Sequence, residues 1–381
     1  MIQLNYLEKL LGGVDVEWLP LGNLAEIGTG KSNRQDETED GEYPFYVRSK
    51  NILRSSTFQF DEKAIVVPGE GGIGDIFHFV EGKYALHQRA YRIKATSDVL
   101  DTKFLYHFMS SKFKQYILMK SVGATSISIR KPMLEGFQIP IPCPDNQEKS
   151  LAIQVEIVRI LDAFTAMTAE LTAELNMRKK QYNYYRDQLL SFEEGEVEWK
   201  TLGELAENLD SKRKPITSGL REAGEIPYYG ASGIVDYVKD YIFDGDYLLV
   251  SEDGANLLAR NTPIAFSISG KTWVNNHAHV LKFETYAERK YVEYYLNSID
   301  LTPYISGAAQ PKLNKKNLES INIPNPAPKE KERIVAILDK FDSLTCSIKE
   351  GLPREIELRQ KQYEYYRDLL LSFPKSEEAV A

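Results

Sequence analysis

A long internal repeat constrains the fold of this chain more than any other feature of its sequence. Three segments of the first half recur in the same order: EWLPLGNLAE at 17–26 as EWKTLGELAE at 198–207, IVRILD at 157–162 as IVAILD at 334–339, and QYNYYRD at 181–187 as QYEYYRD at 362–368. A repeat of this length predicts one structural unit built twice. Its tails are nearly copied, whereas its fronts agree mainly at their edges. The tails are therefore expected to do the same task twice, and the fronts to do different ones.

The copied tails are predicted to form long helices. From Ile157 and from Ile334, large or apolar residues recur at alternating steps of four and three, which is the heptad pattern of a coiled-coil seam. The second tail is longer, since 334 to 362 is 28 residues and 157 to 181 is 24. Gly351 and Pro353 lie near that insertion, so we expect a kink or a break there. The predicted seam consists of Ile157, Leu161, Phe164, Leu171, Leu175, Tyr182, Tyr185 and Leu189, and of Ile334, Leu338, Phe341, Ile348, Tyr363, Tyr366 and Leu370.

The fronts are predicted to be mixed α/β domains. Apolar runs separated by glycine turns predict strands at 64–67, 75–80 and 90–93, and at 247–250 and 279–283 in the second copy. Each front also carries one amphipathic helix, near 102–119 and near 289–298. Ile-Pro segments at 139 and 323 are incompatible with a helix and mark the exits into the long helices. The chain is divided into a first globular domain (1–146), a first long helix (147–192), a second globular domain (193–328), a second long helix (329–373) and a tail (374–381).

Composition points to a folded protein of a reducing compartment. The chain is 43% hydrophobic and 27% charged, which is ordinary for a globular protein. Cys143 and Cys346 are too few for a disulfide framework or a metal site. The first residues lack the features of a signal peptide, and no apolar run is long enough to cross a bilayer. We therefore expect a cytoplasmic protein without membrane contact.

Two glycine motifs suggest nucleotide binding, and both are better explained as turns. Gly30-Lys31-Ser32 resembles the end of a phosphate-binding loop, but Ala25 stands where the first glycine is required. The stretch 69–74 satisfies G-x-G-x-x-G, yet the segment after it is predicted to be a strand. A dinucleotide site needs a helix there, so we interpret this stretch as a hairpin turn.

Two further motifs suggest methyl transfer or metal binding. The segment 325–328 (NPAP) lacks the adjacent proline and the aromatic residue that an adenine methyltransferase uses to hold a flipped base. His277 and His279 could lie on one strand face, but no third ligand accompanies them at metal spacing. We predict no catalytic residue, metal or cofactor in this chain.

Two diverged domains of about 130 residues, each followed by a nearly identical long helix, resemble the specificity subunits of type I restriction–modification systems. The motif match is detailed: I-L-D-x-F opens each helix at 160 and 337, and R-x-K-Q-Y-x-Y-Y-R-D-x-L-L-S-F closes it at 178 and 359. E-V-E-W-K-T-L-G-E-L-A opens the second domain at 196. The resemblance covers essentially the whole chain.

The resemblance implies an α+β fold in which two mixed α/β target-recognition domains are separated by two long antiparallel coiled-coil helices with pseudo-two-fold symmetry. Each domain would read one half of a bipartite, asymmetric site in double-stranded DNA. The helices would set the spacer and dock two modification (methyltransferase) subunits, and restriction subunits would complete an ATP-dependent nuclease. The chain itself would be non-catalytic, with S-adenosylmethionine and ATP with Mg²⁺ bound by its partners.

The charge of the chain sets a condition on DNA binding. The net charge is −8; residues 17–145 carry 16 Lys/Arg against 16 Asp/Glu, and residues 198–328 carry 14 against 17. Because nucleic-acid affinity normally begins with a basic surface, binding would depend on local patches and on a partner.

Basic residues do recur at matched loops of the two domains, as phosphate contacts require. Gln88, Arg89, His277 and His279 are weaker candidates for base contacts, and the alternative for each basic residue is a solvated loop charge without a partner role. The candidate DNA-binding residues are Lys31, Arg34, Arg48, Lys50, Gln88, Arg89, Arg130 and Lys131 in the first domain, and Lys212, Arg213, Lys214, His277, His279, Lys312, Lys315 and Lys316 in the second.

Two other interpretations stay open at the level of sequence. One is a scaffold that displays two unrelated binding domains without contacting DNA, and the other is a self-contained enzyme. Duplex binding that appears with a methyltransferase partner and steepens as salt falls would separate these hypotheses from DNA recognition.

Overall fold

The computed structural model describes residues 10, 12–13, 15–72, 74–120, 128–193, 195–307, 310–347 and 350–374. The chain divides into two compact units, Met1–Leu171 with Ile356–Ala381, and Thr172–Glu355. Each unit therefore combines one globular domain with a part of each long helix. This differs from a division along the sequence, which would assign every helix to a single segment.

The first domain is built on a six-stranded sheet. Its strands are ordered β2-β7-β5-β6-β3-β4, and every pair is antiparallel except the parallel pair β3–β6. A separate antiparallel pair, β1–β8, joins the two ends of the domain. The elements are β1 (Val16–Pro20), α1 (Leu21–Leu24), β2 (Ala25–Thr29), β3 (Tyr43–Tyr46), β4 (Leu53–Ser55), β5 (Phe60–Pro68), β6 (His78–Leu86), β7 (Ala90–Ala95), α2 (Thr102–Lys120), α3 (Lys131–Glu135) and β8 (Gln138–Pro142).

The second domain repeats this topology strand for strand. Its sheet has the order β10-β15-β13-β14-β11-β12, again with one parallel pair, β11–β14. The pair β9–β16 takes the place of β1–β8. The elements are β9 (Glu198–Thr201), α5 (Leu202–Leu205), β10 (Glu207–Asn208), β11 (Ala223–Gly230), β12 (Gly233–Val238), β13 (Phe243–Ser251), α6 (Asn256–Ala259), β14 (Ala265–Val274), β15 (Ala278–Lys282), α7 (Tyr286–Ser298), α8 (Lys315–Glu319) and β16 (Asn322–Asn325). The long helix α4 (Gln147–Leu190) lies between the two domains in sequence.

The central strands follow from their apolar runs. Residues 64–67 of β5 and 248–250 of β13 are fully buried, which explains why they carry no polar alternation. The glycine-rich stretch 69–74 connects the antiparallel strands β5 and β6, so its interpretation as a turn between strands is confirmed. Sequence reasoning missed the pairing β1–β8: the repeated segment that opens each domain is held against the Ile-Pro segment that closes it.

The long helices have different continuity. Helix α4 (Gln147–Leu190) is unbroken over 44 residues. The second tail forms α9 (Pro328–Thr345) and α10 (Gly351–Leu370), so the predicted break is confirmed. At Gly351 φ is +77°, and a Cβ there would lie 2.3 Å from the carbonyl oxygen of Ser343. Glycine is required at this crossing of the backbone. None of the helices in the described part of the chain is both long and apolar enough to cross a membrane.

The predicted seam residues pack in both units. Ile157, Leu161 and Leu370 are buried in the core of the first unit, and Ile334 and Leu338 in that of the second. Equivalent aromatic contacts then join the helices: Phe164 stacks on Tyr366 at 5.3 Å between ring centroids, and Phe341 on Tyr185 at 5.7 Å. Along the two helices these contacts run in opposite order, as in an antiparallel pair. Leu171, Leu175, Tyr182, Leu189 and Tyr363 are half-buried, and Ile348 lies outside the described residues.

The end of each long helix packs into a domain core. Leu190 is buried among residues of the second domain, in the same unit. Its repeat equivalent Leu371, with Phe373, is buried in the core of the first domain. The indole Nε1 of Trp18 donates a hydrogen bond of 2.9 Å to the carbonyl oxygen of Pro374. Each domain is thus held by the start of one long helix and the end of the other.

Candidate nucleic-acid interface

The same backbone hydrogen bonds build one end of the sheet in each domain. The Gly69 N–H donates to the Arg89 carbonyl at 2.9 Å, and the Glu252 N–H donates to the His277 carbonyl at 2.9 Å. Arg89 and His277 therefore occupy equivalent positions, as do Gly69 and Glu252. A second matched pair of bonds runs from Ile129 N–H to the Gly69 carbonyl and from Leu313 N–H to the Glu252 carbonyl.

In the first domain, this end of the sheet brings the predicted loops together. The amide of Gln88 donates to the Asn33 side chain at 2.5 Å, which joins the turn before β7 to the loop after β2. Arg48 and Arg89 each donate through Nη1 to the same oxygen of Glu70, at 3.0 and 3.1 Å. The candidates Lys31, Arg34, Arg48, Lys50, Gln88, Arg89, Arg130 and Lys131 all have exposed side chains.

Glu70 is the electrostatic centre of this group. Hydrogen bonds from Arg89 and then Arg48 lower the pKa of its carboxyl group. The neighbouring His87 has a lowered pKa, because it is partly buried and because Arg48 and Arg89 place positive charge beside it. At neutral pH the cluster therefore holds two guanidinium groups on one carboxylate, next to an uncharged imidazole.

In the second domain, the matched loops also converge. His277 Nδ1 lies 2.9 Å from Asp253 Oδ2, and Lys312 Nζ lies 3.1 Å from Glu252 Oε1. The Lys214 N–H donates to the Val274 carbonyl, just as the Ser32 N–H donates to the Leu86 carbonyl in the first domain. The side chains of Lys212, Lys214, His277, Lys312, Lys315 and Lys316 are exposed.

Two of the sequence candidates are not placed to contact DNA. The side chain of His279 is 0% exposed, with Nδ1 at 2.6 Å from Asp210 and Nε2 at 2.7 Å from the Leu313 carbonyl. The side chain of Arg213 is 12% exposed and donates to Glu252 at 2.5 Å and to the Ala278 carbonyl at 2.8 Å. Both residues tie the loops together, so their assignment as DNA contacts is corrected to a structural role.

Asp210, Glu252 and His279 also place three ligand-type atoms within 4.8 Å of one another. Burial would raise the pKa of Asp210, but hydrogen bonds from His279 and Val280 and the charge of Arg213 hold it below its usual value. Glu252 is held ionised in the same way, by Arg213, His279 and Lys312. Because Arg213 and Lys312 already pair with these oxygens, the three side chains fit a charge network that ties the loops together.

A second duplicated contact lies where each domain meets its long helix. Asp162 of α4 accepts from His107 Nε2 at 2.9 Å and is paired with Lys103 Nζ at 2.6 Å. Its repeat equivalent Asp339 on α9 accepts from the phenols of Tyr286 at 2.9 Å and Tyr294 at 2.6 Å. The aspartate of the repeated I-L-D motif is therefore an acceptor for the domain helix α2 or α7.

Sequence reasoning missed these contacts, although the sequence carries a signal for them. Asp162 and Asp339 stand in a copied segment, and a polar residue copied on an apolar helix face indicates a partner. Glu70 and Asp253 could have been found by aligning the ends of β5 and β13 across the repeat. Their partners came from loops whose conformation the sequence does not specify.

The copied end of each long helix also exposes a pair of tyrosines. Tyr184 is 62% exposed and its equivalent Tyr365 is 64% exposed. Each packs edge-on against the next tyrosine, Tyr185 or Tyr366, at 5.4 and 5.3 Å between ring centroids. The repeat thus presents the same aromatic pair twice.

The match to a known protein family is also duplicated along the chain. The family model described as "Type I restriction modification DNA specificity domain" matches twice, at residues 13–178 and 194–358. The chain is 39% identical to the EcoR124I/EcoR124II type I restriction enzyme specificity subunit of Escherichia coli, over 99% of both chains. It is 40% identical to a putative type I restriction enzyme specificity subunit of Haemophilus influenzae, over 97% of this chain and 98% of the relative.

A solved structure shares the fold. The crystal structure of a type I restriction–modification S subunit from M. genitalium aligns with a TM-score of 0.67 at 18% identity, over 98% of this chain and 99% of that one. The fold class and the internal repeat expected from the sequence are confirmed.

Proposed function

Because the chain belongs to the family of type I restriction–modification specificity subunits, we propose that each of its two domains reads one half of a bipartite, asymmetric DNA site. As a specificity subunit, the chain recognises DNA for the system and is not its catalytic component. One observation carries the proposal: the same sheet end is built twice, with different exposed side chains at equivalent positions. Identical scaffolds with different readers suit a site whose two halves differ in sequence.

The exposed lysines and arginines of the matched loops are assigned to the phosphate backbone. Lys31 and Arg34 follow β2, and Lys212 and Lys214 follow β10 at the equivalent place. Helices α3 and α8 each begin with an exposed lysine, which adds a second matched position. Phosphate contacts fix the register of a protein on DNA without reading sequence, so the same charges can serve both halves.

Replacing Lys212 and Lys214 together by alanine tests this assignment. The double variant should bind cognate and non-cognate duplexes more weakly by the same factor. The slope of log affinity against log salt should become shallower by the contribution of about two phosphate contacts. Fluorescence anisotropy measures how tightly the complex with modification subunits binds each duplex at salt concentrations between about 50 and 200 mM, where affinity changes steeply with salt.

The matched control is the pair Lys239→Ala and Lys271→Ala, which removes the same charge. Lys239 precedes β13, and Lys271 of β14 lies opposite Asp244 at the start of β13, so neither belongs to the loop after β10 or to the turn before β15. Loss of cognate binding alone in Lys212→Ala/Lys214→Ala would make these lysines base readers. An equal effect in the control would show that DNA does not follow these loops.

The two exposed tyrosine pairs are proposed to dock two modification subunits. Tyrosine is enriched among the residues that dominate protein interfaces, and a copied surface fits a second copy of the same partner. Tyr184→Ala and Tyr365→Ala should each weaken one partner site, by about 30-fold for a central contact worth ~2 kcal/mol. Native mass spectrometry should then find one bound modification subunit in each single variant and none in the double variant.

Tyr237→Ala is the control for this experiment, since Tyr237 is 52% exposed but lies on β12 of the second domain. Two partners bound to the double variant would remove the tyrosines from the interface. A single partner bound to the unaltered chain would contradict the two-subunit assignment itself.

The cofactors of the system are assigned to partner chains, S-adenosylmethionine to the modification subunits and ATP with Mg²⁺ to the restriction subunits. The described residues support this division, because the glycine-rich stretch that resembles a dinucleotide motif connects two strands. The isolated chain should therefore transfer no methyl group to duplex DNA. Methyl transfer that survives rigorous purification would contradict the assignment.

A further inference from the structure

Arg89 and His277 occupy one structural position with different chemistry. Each is the last residue before the strand β7 or β15, and each accepts the matched backbone hydrogen bond described above. Both side chains are about half exposed. A position with a fixed backbone and a changed, exposed side chain is where two domains that read different sequences are expected to differ.

A carboxylate holds the side chain in both domains. Glu70 pairs with Arg89 at 3.1 Å, and Asp253 pairs with His277 at 2.9 Å. Glu70 and Asp253 are themselves equivalent, since each follows a residue of the matched hydrogen-bond pair, Gly69 or Glu252. The pairing of a side-chain nitrogen with a carboxylate is therefore kept, although the residue type changes at both positions.

Stability does not account for this pairing. Half-exposed ion pairs contribute little to folding, because solvent screens them and ordering the side chains costs entropy. A paired carboxylate does fix the orientation of a guanidinium group, as the surrounding shell of a binding site does for its central residues. In the first domain Arg48 shares the same Glu70 oxygen.

The first domain also has a cavity beside this pair. It has a volume of about 390 Å³ and is lined by Arg34, Arg48, Ser49, Asn51, Glu70 and His87, among others. Arg34, Arg48 and Asn51 supply hydrogen-bond donors to its wall, and Val47 and Leu53 supply apolar surface. Arg48 and Arg89 are each engaged by Glu70 through Nη1, and both side chains stay about half exposed.

We infer that Arg89 reads a guanine in the first half-site and that Glu70 is the positioning residue that orients it, with His277 and Asp253 at the corresponding place for the second half-site. The planar fork of arginine matches the O6 and N7 acceptors that guanine presents in the major groove. The inference rests on the proposed function, because it names the base that one of the two domains reads.

The test is to sequence the sites methylated by the reconstituted complex on a library of duplexes with randomised half-sites. Arg89→Ala should lower the preference for guanine at one position of one half-site by about tenfold to a hundredfold. The other half-site should be unchanged. His277→Ala is the matched control and should alter only the other half-site. Both residues are exposed, so the variants should fold, as a thermal melt of each will verify.

Glu70→Gln separates base reading from simple charge. If Arg89 only contacted phosphate, removing the neighbouring negative charge would tighten binding to every duplex. If Glu70 is a positioning residue, the Glu70→Gln complex should instead lose its preference for guanine at the position that Arg89→Ala affects. Its affinity for other duplexes should not increase. Uniformly tighter binding in Glu70→Gln, or an unchanged site in Arg89→Ala, would overturn the inference while leaving the two-part site intact. A wild-type complex that methylates sites without two defined halves would overturn the proposed function as well.

Discussion

The contacts between domain and helix differ between the two units, although their backbones agree. In the first unit Asp162 is met by a lysine and a histidine, and in the second Asp339 is met by two tyrosines. The acceptor lies in the copied helix and the donors lie in the diverged domain. The helix therefore imposes one requirement, a hydrogen-bond donor at a given place, and the domain can meet it with different residues.

The two sets of donors have pKa values that are shifted in opposite directions. Burial lowers the pKa of His107, and the nearby Asp162 only partly opposes this effect. Burial and then Asp339 raise the pKa of Tyr294, and the same causes raise the pKa of Tyr286 to about 12. The tyrosine pair therefore stays neutral near pH 7, whereas the pKa of His107 lies below its ordinary 6.5, so that His107 gains its proton only on the acid side of that value.

The largest expected effect comes from lengthening the helix that the units share. Thr168–Leu171 and Thr172–Leu175 are tandem copies of T-A-E-L, and the boundary between the units falls between them. A third copy should extend α4 by ~6 Å and rotate its far end by about 40°. On DNA rising ~3.4 Å per base pair, both half-sites should stay the same while the unread spacer grows by about one or two base pairs. Sequencing of methylated sites in cells carrying the insertion measures this.

The second helix is suited to tolerate such an insertion. Its chain is interrupted between Thr345 and Gly351, close to where it passes from one unit to the other. A third copy would also bring 157 to 181 from 24 to 28 residues, the length of the second tail. An unchanged spacer with full activity would show that α4 does not set it. Altered half-sites would show that the domains are not independent of the helix.

A smaller effect is expected from removing the acceptor in one unit. Asp339→Ala takes away the partner of two phenols, one of them buried, and should lower the free energy of unfolding by about 2 to 4 kcal/mol. Hydrogen exchange resolved by peptide should show the loss in residues 172–355 rather than in the first domain. Glu332→Ala, which removes an exposed negative charge from the same helix, is the control. Equal destabilisation by both variants would show that the loss of a negative charge from this helix, and not the loss of the hydrogen bonds, lowers the stability.

The smallest expected effect is a difference between the two units in how their stability depends on pH. Because the pKa of His107 is lower in the folded protein than its ordinary 6.5, its contribution to stability is complete above pH 6.5 and is lost as pH falls through the folded value. Peptide-resolved exchange between about pH 7.5 and 5.5, corrected for the intrinsic rate, should show the first unit loosening while the second does not. His107→Gln should remove the difference. Equal loosening of both units would place the pH response elsewhere.

The sequence predicted the elements that a periodic pattern specifies. It did not predict which side chains the loops expose. The heptad spacing gave α4, the four-residue insertion with Gly351 and Pro353 gave the break in the second helix, and the apolar runs gave β5, β7 and β13. Residue type alone could not separate Lys212 and Lys214, which are exposed, from Arg213 between them, which is tied to Glu252. That distinction depends on the conformation of the short turn after β10, which leaves the Arg213 side chain 12% exposed.

The packing of Leu371 and Phe373 into the first domain has a consequence for how the chain could be reordered. The end of the second helix meets β1 through the Trp18–Pro374 hydrogen bond, just as the end of α4 leads through a short connection into β9. The end of each long helix therefore lies at the first strand of a domain, through the chain itself for α4 and through a hydrogen bond for the second helix. A circular permutant that joins Pro374 to Val16 through a short linker and opens between Leu190 and Glu198 would keep every element in its place. The order of the two domains along the chain would then be reversed, while each domain keeps its contacts with the start of one long helix and the end of the other.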